Sequence, residues 1–556
     1  MQASSSATSS TDTVTKEAES KAVTPSGDEH GSRRDWMFWC IIFSLAIPTL
    51  LTAVELTAIG TALPVIVNDL KGTQFVWVGS AYTLGATALL PFCGGLAQIL
   101  GRRDVMLGAL LLFSVGSAVC GAATSMNMLI AGRTIQGLGG GAITALVQII
   151  LADLVPLLER GTFNGIMALA WAMGGGTGPV IGGSLAQAGQ WRWLFYLNIP
   201  ICGAAAMCIA YCLRLRVPKA PLREKLQTID WIGNALIVAA ATSVVLGLSW
   251  GGVQYSWSSA RVIVPLVLGL LGFVVFGVYE AYFASHPIVP TFLVSNRTAL
   301  SGYIQNFIMG ILLAGLSYWL PVYFQGCKDA GPIASGVDSF GLSFSISPTC
   351  IITGITVQKS GKYRPQMWFA WCLILLGTGL LSYLDADGSR GQSFGFQILA
   401  GVGLGIIYVA AYFPVLAPIP VTKSTPALAF HTFLRNFAQV WGVTIGGAVL
   451  QNELQKRLPA EFLSQFPQGS EVAFAIIPTI RGLEQPLKDE VRNAFAGATQ
   501  VVWQVLAGIG GIGLIASFFM KQLPLHTSVD TDWGREDISS TTVDAEKSKS
   551  SQQEQS

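Results

Sequence analysis

Charge is scarce in this chain of 556 residues: Asp, Glu, Lys and Arg together make up 12% of it, where a soluble domain carries about 25%. With 51% hydrophobic residues and a mean hydropathy of +0.54, polar surface is too limited to cover a water-exposed fold of this size. A disordered or nucleic-acid-wrapping chain is excluded on the same ground. The net charge of +2 points to no acidic or basic macromolecular partner. Histidine is rarer still: His30, His286, His431 and His526 stand in unrelated places, so no nucleophile–base or metal-ligand grouping argues for an enzyme. The nine cysteines lie almost wholly within apolar stretches, with Cys327 in an expected outer loop and no CxxC or Cys/His metal spacing. Core packing is their expected role, and no metal or other cofactor is implied. A Walker lysine motif is missing too, which disfavours ATP-driven transport.

Long apolar runs fill the space. Fourteen are found, at 38–62, 75–98, 105–124, 127–151, 163–188, 193–213, 229–250, 262–284, 299–324, 336–357, 367–384, 393–420, 427–451 and 499–520. At about 1.5 Å per residue each spans roughly 30 Å of hydrocarbon as a helix. Short alternating segments of the β-barrel type do not occur. The expected fold class is an all-α polytopic membrane protein with 14 transmembrane helices, its solvent the lipid bilayer. The stretch at 336–357 is the weakest, with its Ser and Thr residues and Pro348. The polar tails, 1–35 and 522–556, are expected to be disordered. The start is no secretory signal, because the first apolar run begins only at Trp36.

Fourteen spans put both tails on one side. The short loops of that side, with the tail flanks, hold sixteen Lys and Arg, from Arg33, Arg34, Arg102, Arg103 and Arg160 to Lys423 and Lys521. The opposite short loops hold five: Lys71, Arg192, Arg261, Lys328 and Arg390. The positive-inside rule then makes both termini cytosolic and the long loop 452–498 external. The sequon Asn296-Arg297-Thr298 falls in the cytosol and should stay unglycosylated.

The chain repeats itself. Gly94-x-x-x-Gln98-x-x-Gly101-Arg102 recurs as Gly354-x-x-x-Gln358-x-x-Gly361-Lys362, 260 residues on. Gly137, Gly139 and Gly141 match Gly401, Gly403 and Gly405 at an offset of 264, and Gly178, Gly182 and Gly183 match Gly442, Gly446 and Gly447 at the same offset. Spans 2–5 thus correspond to spans 10–13 in the same orientation. The economical organisation is a six-helix half over 36–214, a cytosolic loop with two inserted helices over 215–298, and a second six-helix half over 299–521. Two parallel halves around a midplane cavity are the layout of alternating-access carriers.

Gly174, Gly178 and Gly182 share one face of span 5, beside Gly175, Pro179 and Gly183. Such a face serves tight helix packing, a kinkable contact that controls rocking, or both. Charges within spans cost about 2.5–3.5 kcal/mol on insertion scales and nominate functional groups. Glu55, Arg133 and Arg435 are the three that stand out. Arg133 shares a face with Gln136, Gly137 and Thr144, and Arg435 with Gln439, Gly442 and Gly446. Glu55 is suited to load and release a proton, the alternative for Glu55 and Arg133 being a static buried ion pair or hydrogen-bonded anchor. Asp153 and Glu280 lie at cytosolic span ends, where solvation is the expected state.

Together Gly94–Arg103, Arg133-Thr-Ile-Gln136-Gly137-Leu-Gly139 and Gly174–Gly183 resemble the three signature motifs of the major facilitator superfamily, the third being that of its antiporters. Val54-Glu55-Leu-Thr57 through Pro64, Asp153 through Gly161, and Trp191-Arg192-Trp193 followed by Asn198-Ile-Pro200 are similar to its 14-span drug:proton antiporter branch. The likeness covers roughly residues 36–521, and its flavour is that of fungal exporters of drugs and mycotoxins. The resemblance implies proton coupling through Glu55 and Arg133, and a cytosolic gating loop formed by Gly94, Gln98, Gly101, Arg102 and Arg103. It also implies an antiporter glycine motif of Gly174, Gly178, Pro179, Gly182 and Gly183. Two departures stand out: Gln98-Ile99 replaces the usual Asp-Arg of the first motif, which bears on its charge lock, and Glu55 replaces the more usual Asp.

The leading expectation is a monomeric secondary transporter, driven by the proton gradient, that exports a small, fairly apolar organic compound. Tyr303, Asn306, Tyr408, Phe433, Arg435, Asn436 and Gln439 are the expected substrate-cavity residues, and the plasma membrane the expected location. Alternatives are a proton-coupled carrier of a nutrient, amino acid or siderophore at the plasma or vacuolar membrane, a membrane-embedded enzyme, and a channel.

Overall fold

A computed structural model of the chain describes residues 36–70, 76–213, 229–252, 255–465 and 472–527. A helix occupies each of the fourteen expected stretches. We number them α1 (Trp36–Leu70), α2 (Val76–Leu100), α3 (Arg102–Gly121), α4 (Met126–Leu154), α5 (Leu157–Gln187), α6 (Asn198–Cys212), α7 (Trp231–Trp250), α8 (Ala260–Tyr282), α9 (Arg297–Cys327), α10 (Phe340–Ser360), α11 (Arg364–Leu381), α12 (Arg390–Ala410), α13 (Ser424–Arg457) and α14 (Leu487–Phe518). Short helical turns at Trp193–Tyr196, Pro332–Asp338 and Tyr412–Leu416 flank α6, α10 and α12.

Among the described residues, eleven helices are long and apolar enough to cross a membrane; the other three expected spans fall on α5, α11 and α13. Glycine in α5, and His431, Arg435, Asn436 and Gln439 in α13, dilute hydropathy on faces that meet protein rather than lipid. At the other extreme, α8 is 17% buried and presents Val264, Leu268, Leu271, Val275 and Val278 outward. An unbroken apolar face of that length fits the hydrocarbon of a bilayer. The protein is therefore an integral multi-pass membrane protein.

The glycine repeat is realised in three dimensions. Side-chain-free Gly137 and Gly141 of α4 lie on Tyr82 and Ala86 of α2, while Gly139 lies on Ala109 and Phe113 of α3. In the second copy, Gly401 and Gly405 of α12 lie on Leu342 and Ile346 of α10, while Gly403 lies on Ala370 and Ile374 of α11. Gly174, Gly178 and Gly182 seat α5 on Leu50, Val54 and Ala58 of α1, as Gly442 and Gly446 seat α13 on Ile311 and Trp319 of α9. Even the turns match: Gly101 (φ 95°) and Gly361 (φ 65°) both use left-handed backbone to reverse the chain into the next helix.

Four regions depart from expectation. The outer loop 452–498 is partly helical: α13 continues to Arg457, Val472–Ile480 forms a helix that buries Ile476 and Ile480, and α14 begins at Leu487. Arg492 of that segment donates to the carbonyls of Cys327 and Ala386. Cys327 closes α9 and is fully buried rather than placed in a loop. Asp153 is buried against Arg102, and Glu280 is 6% exposed and accepts from the amides of Ile288 and Val289. Neither is solvated, because a helix end in a packed bundle meets neighbouring backbone before it meets water. Residues 522–527, expected to belong to a disordered tail, run across the bundle end: Gln522 donates to Gly361 O, the Leu523 amide to the Tyr363 hydroxyl, and His526 O accepts from the Leu158 amide. The tails 1–35 and 528–556 and the basic loop 214–228 lie outside the described residues.

Candidate functional site

The end of the bundle carrying Arg102, Lys359 and Lys423, here the basic end, is where α2 and α3 meet α13. Gly94 lies against Ala429, and Arg102, fully buried, donates to Asp153 Oδ2 (2.8 Å), Ala97 O (3.0 Å) and Thr425 Oγ1 (3.3 Å). Gln98 and Arg103 are exposed and stand apart from this lock. The acid that pairs with the motif arginine is therefore Asp153 of α4, and Gln98 is not an acid missing from it. On the pseudo-equivalent side, Gly354 of α10 packs on the backbone of Gly161 and Thr162 of α5, and Thr162 Oγ1 donates to Gln358 Oε1 (3.1 Å). The α5–α10 contact continues inward through Gly165 on Ile351 and a bond from Ser347 Oγ to Ala168 O (3.2 Å). These contacts close the basic end.

Breaking a buried ion pair by removing one partner costs about 3–5 kcal/mol, because the survivor is left uncompensated. Asp153→Asn should lower thermal stability of the purified protein by an amount of that order. The Arg192–Asp69 pair at the other end is 41% and 48% exposed. There Trp191 and Arg192 tie Asp69, at the end of α1, to the chain before α6, and Arg192 also reaches Ala123 O. An exposed pair is worth about 0–1 kcal/mol, so Arg192→Ala should move the same melting curve little. Equal shifts in the two variants would contradict this ranking.

Inside the first six helices, Glu55 and Arg133 meet. Glu55 Oε1 accepts from Arg133 Nη1 at 2.5 Å, and Oε2 accepts from Asn198 Nδ2 at 2.6 Å. Arg133 also donates to Gln136 Oε1 (2.8 Å) and Val78 O (3.0 Å), and its guanidinium lies over the Tyr82 ring at 4.6 Å. Ser117 Oγ accepts from both Gln136 and Asn198. Five helices thus converge on one carboxylate: α1, α2, α3, α4 and α6. Glu55 is 1% exposed and Arg133 fully buried, and Arg133 Nη2 has no hydrogen-bond partner. The spacing of Arg133 and Gln136 predicts their shared face, whereas Asn198, Ser117 and Tyr82 join the site through the fold. Of these three, only Asn198, a lone amide near the start of an apolar span, stands out in the sequence. Thr144, expected on the Arg133 face, is exposed and bonds back to Gly140 O.

The second half holds a different centre. Arg435 Nε donates to Asn306 Oδ1 (3.1 Å), its Nη2 lies 3.4 Å from His431 Nδ1, and its guanidinium covers the Tyr408 ring at 4.2 Å and the Tyr412 ring at 5.2 Å. Three expected cavity residues, Arg435, Asn306 and Tyr408, are brought together. Others are not. Asn436 bonds back to Thr432 O, Gln439 is half-buried one turn on, Phe433 stacks on Phe437, and Tyr303 packs on Phe430 while donating to Ala427 O.

Two pseudo-equivalent helical halves, meeting through side-chain-free faces and each burying a polar centre, have the build of an alternating-access carrier. Comparison with known proteins agrees. The family model of the Major Facilitator Superfamily matches residues 45–443, and the chain belongs to that superfamily. It is 37% identical over 526 residues to the efflux pump FUS6 of Gibberella moniliformis, covering 93% of each chain. It is 38% identical to the MFS-type transporter pydD of an Acremonium species (91% and 90% covered) and 36% to the MFS-type efflux pump MMF1 of Pseudozyma antarctica (90% and 93%). Its fold matches the human organic anion transporter MFSD10 with a TM-score of 0.56 at 15% identity, over 86% of this chain and 99% of that one. The protein is a membrane transporter and not an enzyme.

Proposed function

We propose that this transporter exports a small, fairly apolar organic compound in exchange for protons. The observation that carries the reading is the buried Glu55–Arg133 pair, held by Asn198, Gln136 and Ser117. By the expected topology both charges lie about 10 Å from the outer edge of the hydrocarbon, counted at about 1.5 Å per residue. Protonation of Glu55 cancels its charge and frees Arg133, so the network has two arrangements that differ by one proton. Each arrangement favours a different access state through the α1–α5 and α2–α4 contacts it touches. The direction is supported by the relatives named efflux pumps. A monomer in the plasma membrane with both termini cytosolic completes the reading.

The test is flux in sealed vesicles under an imposed pH gradient. Uptake into vesicles with acidic interiors should follow the gradient and collapse with a protonophore. Accumulation indifferent to the gradient, and unchanged by Glu55→Gln, would defeat the exchange mechanism.

A further inference from the structure

Among the described residues, Arg435 is a buried cation with no counterion. It is 6% exposed, and no Asp or Glu lies in its reach: the acidic residues described between 299 and 527 are Asp329, Asp338, Asp385, Asp387, Glu453, Glu461, Glu484, Asp489 and Glu490. All of these belong to the end opposite the basic one, whereas Arg435 lies about 12 Å into its span from the basic side at about 1.5 Å per residue. Among the described residues it is therefore the only ionised side chain buried at depth in the second half. The first half differs, since there both Arg133 and Arg102 have carboxylates.

What holds Arg435 is neutral: one amide oxygen, one imidazole nitrogen and two tyrosine faces. Cation–π contacts and hydrogen bonds to neutral partners solvate the guanidinium but do not cancel its charge. The site thus keeps a whole positive charge. Beside it, the buried Tyr412 hydroxyl donates to no acceptor and the buried His431 Nε2 has no hydrogen-bond partner, and the Tyr412 and His431 rings lie 4.2 Å apart. A cation, an unused O–H and an adjacent imidazole in one cluster form a receptor for an oxyanion.

We propose that Arg435, with Tyr412 and His431, binds the carboxylate of an organic acid, so that the exported compound is an amphipathic anion: an apolar body with one acidic head. The inference rests on the export reading for its biological meaning but not for its chemistry. Arg435 binds the head by charge-assisted hydrogen bonds, with Tyr412 as a further donor, while Asn306 holds the guanidinium in place and Tyr408 covers its face.

The experiment uses the full-length protein purified in detergent and three matched probe pairs: naphthylacetate, diphenylacetate and anthracenecarboxylate, each against its neutral primary amide. Equilibrium binding should favour each acid that binds over its amide, and Arg435→Gln should weaken acid binding about tenfold while leaving the amides unchanged. Tyr412→Phe, which keeps the ring, should weaken acids alone by a few-fold. The inference is overturned if no acid outcompetes its amide in the wild type, a result that needs no variant to fold, or if acids bind equally to the wild type and to folded Arg435→Gln. Glu55→Gln serves as the separating control. If it abolishes gradient-driven flux while acid preference persists, both readings stand. If flux ignores the gradient but acid preference depends on Arg435, the exchange reading fails and the anion site remains.

Discussion

Glu55→Gln is expected to abolish gradient-driven transport, lowering the proton-dependent rate by about a hundredfold or more. The amide cannot titrate, so the two arrangements of the network no longer differ by a proton. The electrostatics act in the same direction. Glutamine keeps an oxygen for Asn198, but its NH2 would face the Arg133 donor, and Arg133 would remain buried without its carboxylate. A loss of about 3–5 kcal/mol follows from stripping one partner from a buried pair, so lower yield is expected alongside lost coupling. The double variant Glu55→Gln/Arg133→Gln separates the two effects. It removes both charges, so thermal stability should recover towards wild type while gradient-driven flux stays absent. A double variant that regains proton-driven flux would show that coupling resides elsewhere. Glu55→Asp, shorter by one methylene, should retain a measurable fraction of the coupled rate.

The second large effect is expected at Gly354. A Cβ there would overlap the backbone of Gly161 and Thr162 on the opposing half, and backbone cannot rotate aside as a flexible side chain can. Gly354→Val therefore opposes closure of the basic end. Overpacking a tight contact costs about 1–3 kcal/mol, which shifts a two-state equilibrium by about fivefold to a hundredfold and more. Transport should fall accordingly, with the folded protein retained, because the clash lies between the halves and is relieved by moving them apart. A cysteine placed at Gln358 reports the shift: in Gly354→Val it should react faster with a membrane-impermeant thiol reagent applied to the basic side. Gly277→Ala on α8, where an added Cβ meets nothing within 4 Å, is the neutral control. Unchanged labelling in Gly354→Val would remove the gating role assigned to this contact.

Much of this could be read without coordinates, for identifiable reasons. Hydrocarbon imposes a length and a composition on each span, so helix positions follow from apolar runs. Glycine at close helix contacts leaves a repeat visible at offsets of 260 and 264 residues. Charges in an apolar run are costly enough to be rare, which is why Glu55, Arg133 and Arg435 could be singled out. The failures share a cause as well. Asp153 and Glu280 sit at span ends, where sequence alone does not distinguish water from a neighbouring helix. Tyr412 matters only because the turn after α12 brings it to the guanidinium of Arg435 on α13, where His431 lies one turn away, and Asn198 because α6 delivers it to a carboxylate 143 residues away.

The sequence by itself determined that this chain lives in lipid, where its apolar helices run, that its glycine motifs repeat, and that Glu55, Arg133 and Arg435 lie within apolar spans. Those are one-dimensional consequences of the cost of polar groups in hydrocarbon. Only the tertiary structure decided which hidden charges are paired. It gave Arg133 and Arg102 their carboxylates and left Arg435 without one, because ion pairing depends on separations of a few ångströms between residues far apart in the chain.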